Sequence, residues 1–231
     1  MISTDRLSDL FVDVADTLVD DFDLVDFLVT LCEHATLVSG ADAVGIVLTD
    51  HRGELRFMAA SNETGRSLEL LQLQSEEGPC LDCVRNRAPV VNTDLGHATD
   101  LWPRFAPLAL ELGFGSVHAF PLRLREEVIG ALNLFSAREM RFEPDETRVV
   151  QSLADVATIA ILQERSLARA EALTEQLQGA LNSRIVIEQA KGALARIEGI
   201  TVDEAFDLMR ARARSSRQRL VDVAAAVLSG A

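Results

Sequence analysis

Apolar residues near the start of the chain recur every three or four positions, the spacing of one buried helix face. The repeating residues are Leu24, Phe27, Leu28, Leu31, Ala35 and Val38. Gly40 follows them directly, and glycine is the residue that most often ends a helix. We therefore expect residues 5–40 to be helical.

Runs of β-branched and apolar residues then replace the helical spacing. The segment "AVGIVLTDHRGELRFMAAS" has two such runs around Asp50–Gly53, which predicts a hairpin. "RAPVVNTDL" predicts a short strand, and "SVHAFPLRLREEVIGALNLFS" predicts two strands joined near Arg125–Glu127. The order of helices, hairpin, mixed segment, hairpin and helix indicates an α+β domain with an antiparallel sheet flanked by helices.

Helical spacing returns after Pro144, and no proline follows it. The spacing is clear at Val149, Leu153, Val156 and Ala160, and thinner at Leu167, Ala170, Leu173, Leu177 and Leu181. We expect one long helix, either straight or kinked near Gly179. Its middle is too polar for a core helix and too apolar for a linker, which favours a two-stranded coiled coil. A single solvated helix lying on the domain is the alternative.

The last fifty residues predict a three-helix bundle whose first helix continues the long one. Gly199 ends that helix, and Thr201 with Glu204 forms a capping-box pattern that starts the next. A third helix covers Leu220–Leu228 and ends at Gly230. The residues expected to be buried are Ile187, Ala190, Leu194 and Ile197 in the first helix, and Val202, Phe206, Met209 and Ala213 in the second.

Charge is distributed unevenly in this chain of 231 residues, whose formal net charge is −14. Residues 180–231 hold eight basic and six acidic residues, a net +2, which leaves −16 for the remainder. Lys191 is the only lysine, and five arginines fall between Arg210 and Arg219. A polyanion would be repelled by most of the molecule and tolerated only at this end.

The basic residues of the bundle predict contacts with phosphate. Arg210 and Arg214 lie on the exposed flank of the second helix, where like charges four apart repel, so an anionic partner explains them best. Arg217 and Arg219 follow in the turn and the third helix. The third helix is nearly all apolar after Arg219 and could not line a major groove, which argues against a DNA-reading helix-turn-helix.

Two family resemblances are carried by these segments. The end of the chain resembles an ANTAR domain, the RNA-binding module of transcription antiterminators, through "SR", "IEQAKG", "EAFDLMR" and "RLVDVAAAV" at Ser183–Arg184, Ile187–Gly192, Glu204–Arg210 and Arg219–Val227. Residues of about 20–165 resemble a GAF domain, a signal-sensing α+β fold, through Gly40–Leu48, Glu76–Leu95 and Phe120–Ser136.

The resemblance implies a GAF-like sensor over residues 1–144, a helical coiled-coil connector over 145–182 and an ANTAR RNA-binding domain over 183–231. It places Arg184 and Lys191 at basic motif positions. They lie seven residues apart on one predicted exposed face, and an intrahelical charge ladder with Glu188 is the alternative role for them. The implied partners are stem-loop leader RNA, an unknown small-molecule or protein signal, and a second copy of the chain.

Cys80 and Cys83 form a C-x-x-C pair in the sensor half. A zinc ribbon would need a second pair, and only Cys32, with His34 beside it, remains. A redox pair would be favoured if Cys83 began a helix, since a helix N-terminus lowers the pKa of a thiol. The third interpretation, which we expect, is that both are small core residues and that no metal is bound.

No enzymatic or cofactor pattern stands out. One GAF-type family reduces free methionine sulfoxide with cysteines, but the antiterminator-like tail has no use in such an enzyme. Haem would need an axial ligand, and His118 is the only histidine placed for it; a core or surface role is expected instead. The acidic start lacks the basic and apolar segments of a signal peptide, and no apolar run reaches eighteen residues.

We therefore expect a cytoplasmic, signal-responsive RNA-binding transcription antitermination regulator without catalytic activity or cofactor. The residues expected to contact RNA are Arg184, Lys191, Arg210, Arg214, Arg217 and Arg219. The alternative is an interaction or sensor module without RNA binding, in which these arginines form a solvated helix face.

Overall fold

The computed structural model describes residues 23–230, so the predicted helical segment over 5–22 lies outside the described residues. The chain divides into two compact units, the first ending at Glu164 and the second beginning at Arg165. The elements of the first unit are α1 (Leu24–Ser39), β1 (Ala43–Thr49), β2 (Leu55–Ala60), α2 (Glu63–Ser75), α3 (Pro79–Asn86), β3 (Val90–Asp94), α4 (Phe105–Glu111), β4 (Ser116–Leu124) and β5 (Glu127–Ser136).

The strands form one five-stranded sheet in the order β2-β1-β5-β4-β3, and every neighbouring pair is antiparallel. The β1–β2 hairpin turns where the sequence predicts it. Asp50 Oδ1 accepts hydrogen bonds from the backbone N–H groups of Arg52 (2.8 Å) and Glu54 (3.0 Å), and Gly53 supplies a φ of +80°. The predicted α+β class with a helix-flanked antiparallel sheet is confirmed.

The two faces of the sheet bury different helices. α1 and the first turns of the long helix cover one face, in a core that includes Leu28, Ile46, Phe120 and Leu153. α2, α3 and α4 cover the other face with Leu68, Cys80, Cys83, Trp102 and Phe105. Each face thus has its own apolar layer, as a two-sided α+β domain requires.

Three helices of the first unit were not predicted. α2, α3 and α4 occupy the stretch interpreted as a mixed segment. The sheet-facing side of α2 carries Glu69 and Gln72, both buried, so its hydrophobic period is broken. α3 starts at Pro79 and not at Cys83, which lies in its second turn.

A single long helix, α5, runs from Pro144 to Glu198 and has 55 residues. It continues through Gly179 without interruption, so the predicted single long helix is present. Every residue from 166 to 182 is exposed, including the leucines that the sequence assigns to a coiled-coil seam: Leu167 (58% exposed), Leu173 (56%), Leu177 (63%) and Leu181 (53%). Among residues 23–230, nothing covers that row of leucines.

The second unit is the end of α5 packed with α6 (Val202–Ser216) and α7 (Leu220–Ser229). The predicted capping box is present: Thr201 Oγ1 accepts from the Glu204 backbone N–H (3.2 Å), and the Glu204 carboxylate accepts from the Thr201 N–H (2.8 Å). Its core residues are Ala190, Leu194, Ala205, Met209, Ala213, Val223 and Ala224.

Three positions depart from the predicted apolar stripes of this bundle. Ile197 is 70% exposed and Val202 is 46% exposed, because both lie at helix ends next to the α5–α6 turn. Phe206 is only half-buried, and Ala205 takes the fully buried position beside it.

Candidate nucleic-acid interface

Three arginines follow one another along α6 and its C-terminal turn. Arg210 and Arg214 are four residues apart, which places them about 40° from each other around the helix, and Arg217 comes directly after the last helical residue. All three are exposed, and Arg217 caps the helix in the left-handed conformation with a φ of 55°. Arg212 is also exposed but lies about 160° around the helix from both Arg210 and Arg214.

The six predicted RNA-binding residues differ in whether a carboxylate already pairs with them. Arg219 is held by Asp222 through two hydrogen bonds of 2.9 and 2.8 Å, which lower the pKa of the Asp222 carboxyl. Arg210 has only a 4.0 Å contact with Asp207. Within residues 23–230, Arg184, Arg214 and Arg217 make no ion pair, so their guanidinium groups remain available to an anion.

Lys191 was predicted to lie on an exposed face, and this prediction is wrong. Its side chain is only 15% exposed, and its Nζ donates to both Glu188 carboxylate oxygens at 3.1 and 3.0 Å. The same Nζ lies 5.2 Å from the centroid of the Phe206 ring on α6. The charge ladder considered as an alternative is therefore present between Glu188 and Lys191.

Phe206 connects this pair to the arginine row. The Arg210 guanidinium lies 5.7 Å from the centroid of the same ring. Lys191, Phe206 and Arg210 thus form a contact chain from α5 to α6, which we call the Phe206 cluster together with Glu188. No periodicity in the sequence shows it, because its members belong to two helices.

The Cys80–Cys83 pair is buried in the layer between α3 and the sheet. All three cysteines are free and fully buried. Burial raises the pKa of Cys80 and raises that of Cys83 to about 12, so the nucleophilic thiolate is disfavoured at both. Within residues 23–230, no group of three or more His, Cys, Asp or Glu side chains is arranged to hold a metal ion.

Glu69 is a buried carboxyl that the sequence analysis missed. Asn133 Nδ2 donates to both of its oxygens (2.7 and 3.0 Å), and Gln72 Nε2 donates to Oε2 (3.0 Å). Gln72 also accepts from the Cys80 backbone N–H (3.0 Å). Despite these bonds, burial raises the pKa of Glu69 to about 8.

Gly45 of β1 makes room for the Glu69 carboxyl. A Cβ at Gly45 would lie 2.3 Å from Glu69 Oε1. The network therefore depends on a glycine in the middle of a buried strand, where glycine ordinarily weakens the sheet.

His118 is a core histidine of β4. It is fully buried and accepts a hydrogen bond at Nδ1 from the Asn92 N–H (2.9 Å). Its ring contacts that of Phe142, with centroids 4.6 Å apart and planes tilted by 58°. Burial lowers the pKa of His118 to about 4, which keeps the ring neutral near pH 7.

An open groove of about 790 Å³ lies on the first unit between β2, α2 and α3. Its lining combines apolar residues with charged and polar ones: Leu55, Phe57, Leu70, Leu73, Leu81 and Val84 on the one hand, and Glu54, Arg56, Gln74, Glu76 and Arg85 on the other. A groove of this size accommodates a small organic molecule.

Among the described residues, no helix is long and apolar enough to cross a membrane.

Comparison with known families assigns both halves of the chain. The GAF domain model matches residues 23–162 and the ANTAR domain model matches residues 175–228. The first match covers more than half of the chain, which therefore belongs to the GAF domain family and carries an ANTAR domain after the GAF domain. A comparison with curated proteins found no match.

Solved structures resemble the first unit at low identity. The GAF domain of an Acinetobacter phosphoenolpyruvate-protein phosphotransferase has 20% identity and a TM-score of 0.56, covering 70% of this chain and 93% of that one. The corresponding Coxiella burnetii domain has 19% identity and a TM-score of 0.56, covering 71% of this chain and 97% of that one. Free methionine-R-sulfoxide reductase from Neisseria meningitidis has 18% identity and a TM-score of 0.54, covering 72% of this chain and 96% of that one. These identities show the fold alone.

GAF domains are sensors, and ANTAR domains are known for RNA-binding antitermination regulation. Both are typically non-catalytic regulatory domains. The chain therefore combines a domain of a sensor family with a domain of a family known for RNA-binding antitermination regulation.

Proposed function

We propose that this protein is a signal-responsive transcription antitermination regulator whose ANTAR domain binds hairpin RNA under the control of its GAF domain. The observation that carries the proposal is the exposed row of Arg210, Arg214 and Arg217, with no acidic residue between Leu208 and Val221. Such a row repels itself and is stabilised by phosphate oxygens.

Arg184 and the arginine row are the direct RNA contacts in this proposal. Each is exposed, and within the described part of the chain none has a close carboxylate partner that an RNA phosphate would have to displace. Arg219 contributes less than first predicted, because both sides of its guanidinium fork already face Asp222. RNA would be recognised by shape and by looped bases rather than through aromatic stacking.

The exposed leucines of α5 support a homodimer formed through a coiled coil. A signal at the GAF domain would change the pairing of two connectors and hence the spacing of two ANTAR domains. Two correctly spaced domains would hold paired hairpins and prevent formation of a terminator. The domain limits 1–144, 145–182 and 183–231, and a cytoplasmic location, belong to this proposal.

Arg214→Ala compared with Arg212→Ala tests the RNA assignment. Both changes remove one exposed positive charge from α6, but only Arg214 belongs to the row. We expect Arg214→Ala to weaken binding of a two-hairpin leader RNA by about tenfold and to lower the slope of log K against log salt by about 0.7–0.9.

Arg212→Ala is the control and should leave the affinity within about twofold and the slope close to that of the unmodified chain. Unchanged affinity and slope in Arg214→Ala would contradict the RNA assignment and favour an interaction module without RNA binding. Equal losses in both variants would show a general charge effect and not a defined interface.

A further inference from the structure

The Phe206 cluster places one aromatic ring against cations from two helices. Lys191 Nζ on α5 lies 5.2 Å from the ring centroid and the Arg210 guanidinium on α6 lies 5.7 Å from it. Both distances are within the range in which a cation is attracted to an aromatic face. The ring is half-buried, so water screens these contacts less than on an open surface.

The two cations of the cluster differ in what they can offer an anion. Lys191 is 15% exposed and its charge is already balanced by both oxygens of Glu188. Arg210 is 47% exposed and its nearest carboxylate oxygen, on Asp207, is 4.0 Å away. Arg210 can therefore reach a phosphate, whereas Lys191 would have to give up Glu188 and leave the ring.

We propose that Phe206 and Lys191 are positioning residues for RNA binding and do not contact the RNA. Lys191, fixed by Glu188, holds the Phe206 ring against α5, and the ring in turn holds the Arg210 guanidinium at the start of the arginine row. This inference rests on the proposed function and assigns Lys191 a different role from the direct contact predicted from the sequence.

The physical advantage of this arrangement is preorganisation. An arginine side chain loses up to about 2 kcal/mol of rotamer entropy when it is fixed. A ring that already restrains Arg210 in the free protein removes part of that cost from the RNA-binding step. Phe206 carries no charge, so its contribution to affinity is independent of salt.

Two charge-neutral changes test the proposal on the full chain. Phe206→Leu removes the ring and keeps an apolar side chain, and the double variant Glu188→Gln/Lys191→Met removes the ion pair without changing net charge. We expect each to weaken binding of the two-hairpin RNA by about threefold to tenfold, with an unchanged salt slope. Combining all three changes should weaken RNA binding no more than the stronger of the two variants does alone, since they act through one contact chain.

Two further variants separate positioning from damage to the fold. Lys191→Arg keeps a cation over the ring and should retain most of the affinity. In the Arg210→Ala background, Phe206→Leu should have almost no further effect, because the residue that it positions is gone. Thermal unfolding followed by circular dichroism checks that each variant retains the helical bundle, and a variant that loses the bundle is replaced by Phe206→Met.

The salt slope distinguishes failure of this inference from failure of the proposed function. If Glu188→Gln/Lys191→Met lowers the slope as Arg214→Ala does, Lys191 contacts phosphate directly and the positioning role is wrong. If neither it nor Phe206→Leu changes the affinity, the cluster has no role in binding. If Arg214→Ala also leaves affinity and slope unchanged, the RNA-binding function itself is wrong.

Discussion

At the scale of single residues, Glu69 is an ionisable side chain placed in an environment that disfavours its charge. Its carboxyl is fully buried between α2 and the sheet, where amide donors from Asn133 and Gln72 replace part of the lost hydration. Desolvation outweighs those bonds and raises the pKa of Glu69 to about 8. The folded protein therefore favours the protonated, neutral acid.

A pH-dependent stability follows for Glu69. Because its folded pKa of about 8 lies above the ordinary value of 4.5, the folded state binds more protons between these two pH values. The stability that this group contributes is fully present below the ordinary pKa and is lost as the pH rises through the folded pKa. We expect Glu69→Gln to unfold at higher urea concentration than the unmodified chain at pH 8.5, and to remove part of the decline between pH 5 and 8.5.

Urea unfolding of both proteins across that pH range measures this difference. Other carboxyls, such as Asp50 with its lowered pKa, titrate identically in both proteins and cancel in the comparison. A constant gap in stability between the two proteins at every pH would show that Glu69 is not protonated on folding.

The basic residues show how far single positions could be predicted. Sequence spacing identifies which arginines share a helix face, and the Arg219–Asp222 pair is readable as a contact three residues apart. The position of Lys191 could not be predicted, because its burial depends on Phe206 from another helix. Glu69 was missed for a similar reason: a buried carboxylate in a helix looks like a solvent-facing residue until its partner Asn133 is known.

At the scale of elements, the accuracy of prediction depended on whether burial followed the helical or strand period. The five strands and α5, α6 and α7 have regular apolar patterns and were predicted. α2 buries Gly65, Glu69, Gln72 and Ser75 beside Leu68, so its buried side is mostly polar or small. α3 and α4 have eight and seven residues, too short for a period to be recognised.

The long helix α5 contains two glycines, and no neighbouring atom in the structure requires a glycine at either position. At both Gly179 and Gly192 an added Cβ would meet no atom within 4 Å. Gly192→Ala and Gly179→Ala should therefore each stabilise the helix by about 0.5–1 kcal/mol, since alanine restricts the unfolded backbone more than glycine does.

Thermal unfolding monitored at the helical circular-dichroism band checks this pair of variants. Gly179→Ala is the matched change in the same helix, away from the bundle. Destabilisation by Gly192→Ala alone would show that Gly192 meets a neighbour from outside the chain, next to Lys191.

At the scale of the whole molecule, the charge distribution restricts how RNA can bind. The chain outside residues 180–231 carries a net −16, and this larger negative charge repels a polyanion at low ionic strength. A single bundle with a net +2 offers few phosphate contacts against that repulsion. Two bundles on one RNA double the contacts and gain effective concentration, so dimerisation would strongly affect affinity.

The exposed leucine row of α5 provides the test of that dimer. Leu177→Glu places a charge in the centre of the row, where Leu177 is 63% exposed in the single chain. Ala172→Glu adds the same charge on the opposite side of the helix, about 140–160° away, at another exposed position. We expect Leu177→Glu to sediment as a monomer and Ala172→Glu as a dimer, because a buried unpaired carboxylate disfavours coiled-coil pairing.

RNA affinity should follow the oligomeric state. Loss of the dimer should weaken binding of a two-hairpin RNA by about tenfold or more, while binding of a single hairpin changes little, because only the two-hairpin RNA engages both bundles at once. A dimeric Leu177→Glu would place the subunit contact elsewhere in the molecule. A monomer with undiminished two-hairpin affinity would show that one bundle is sufficient, so that the GAF domain could not control RNA binding by changing the spacing of two bundles.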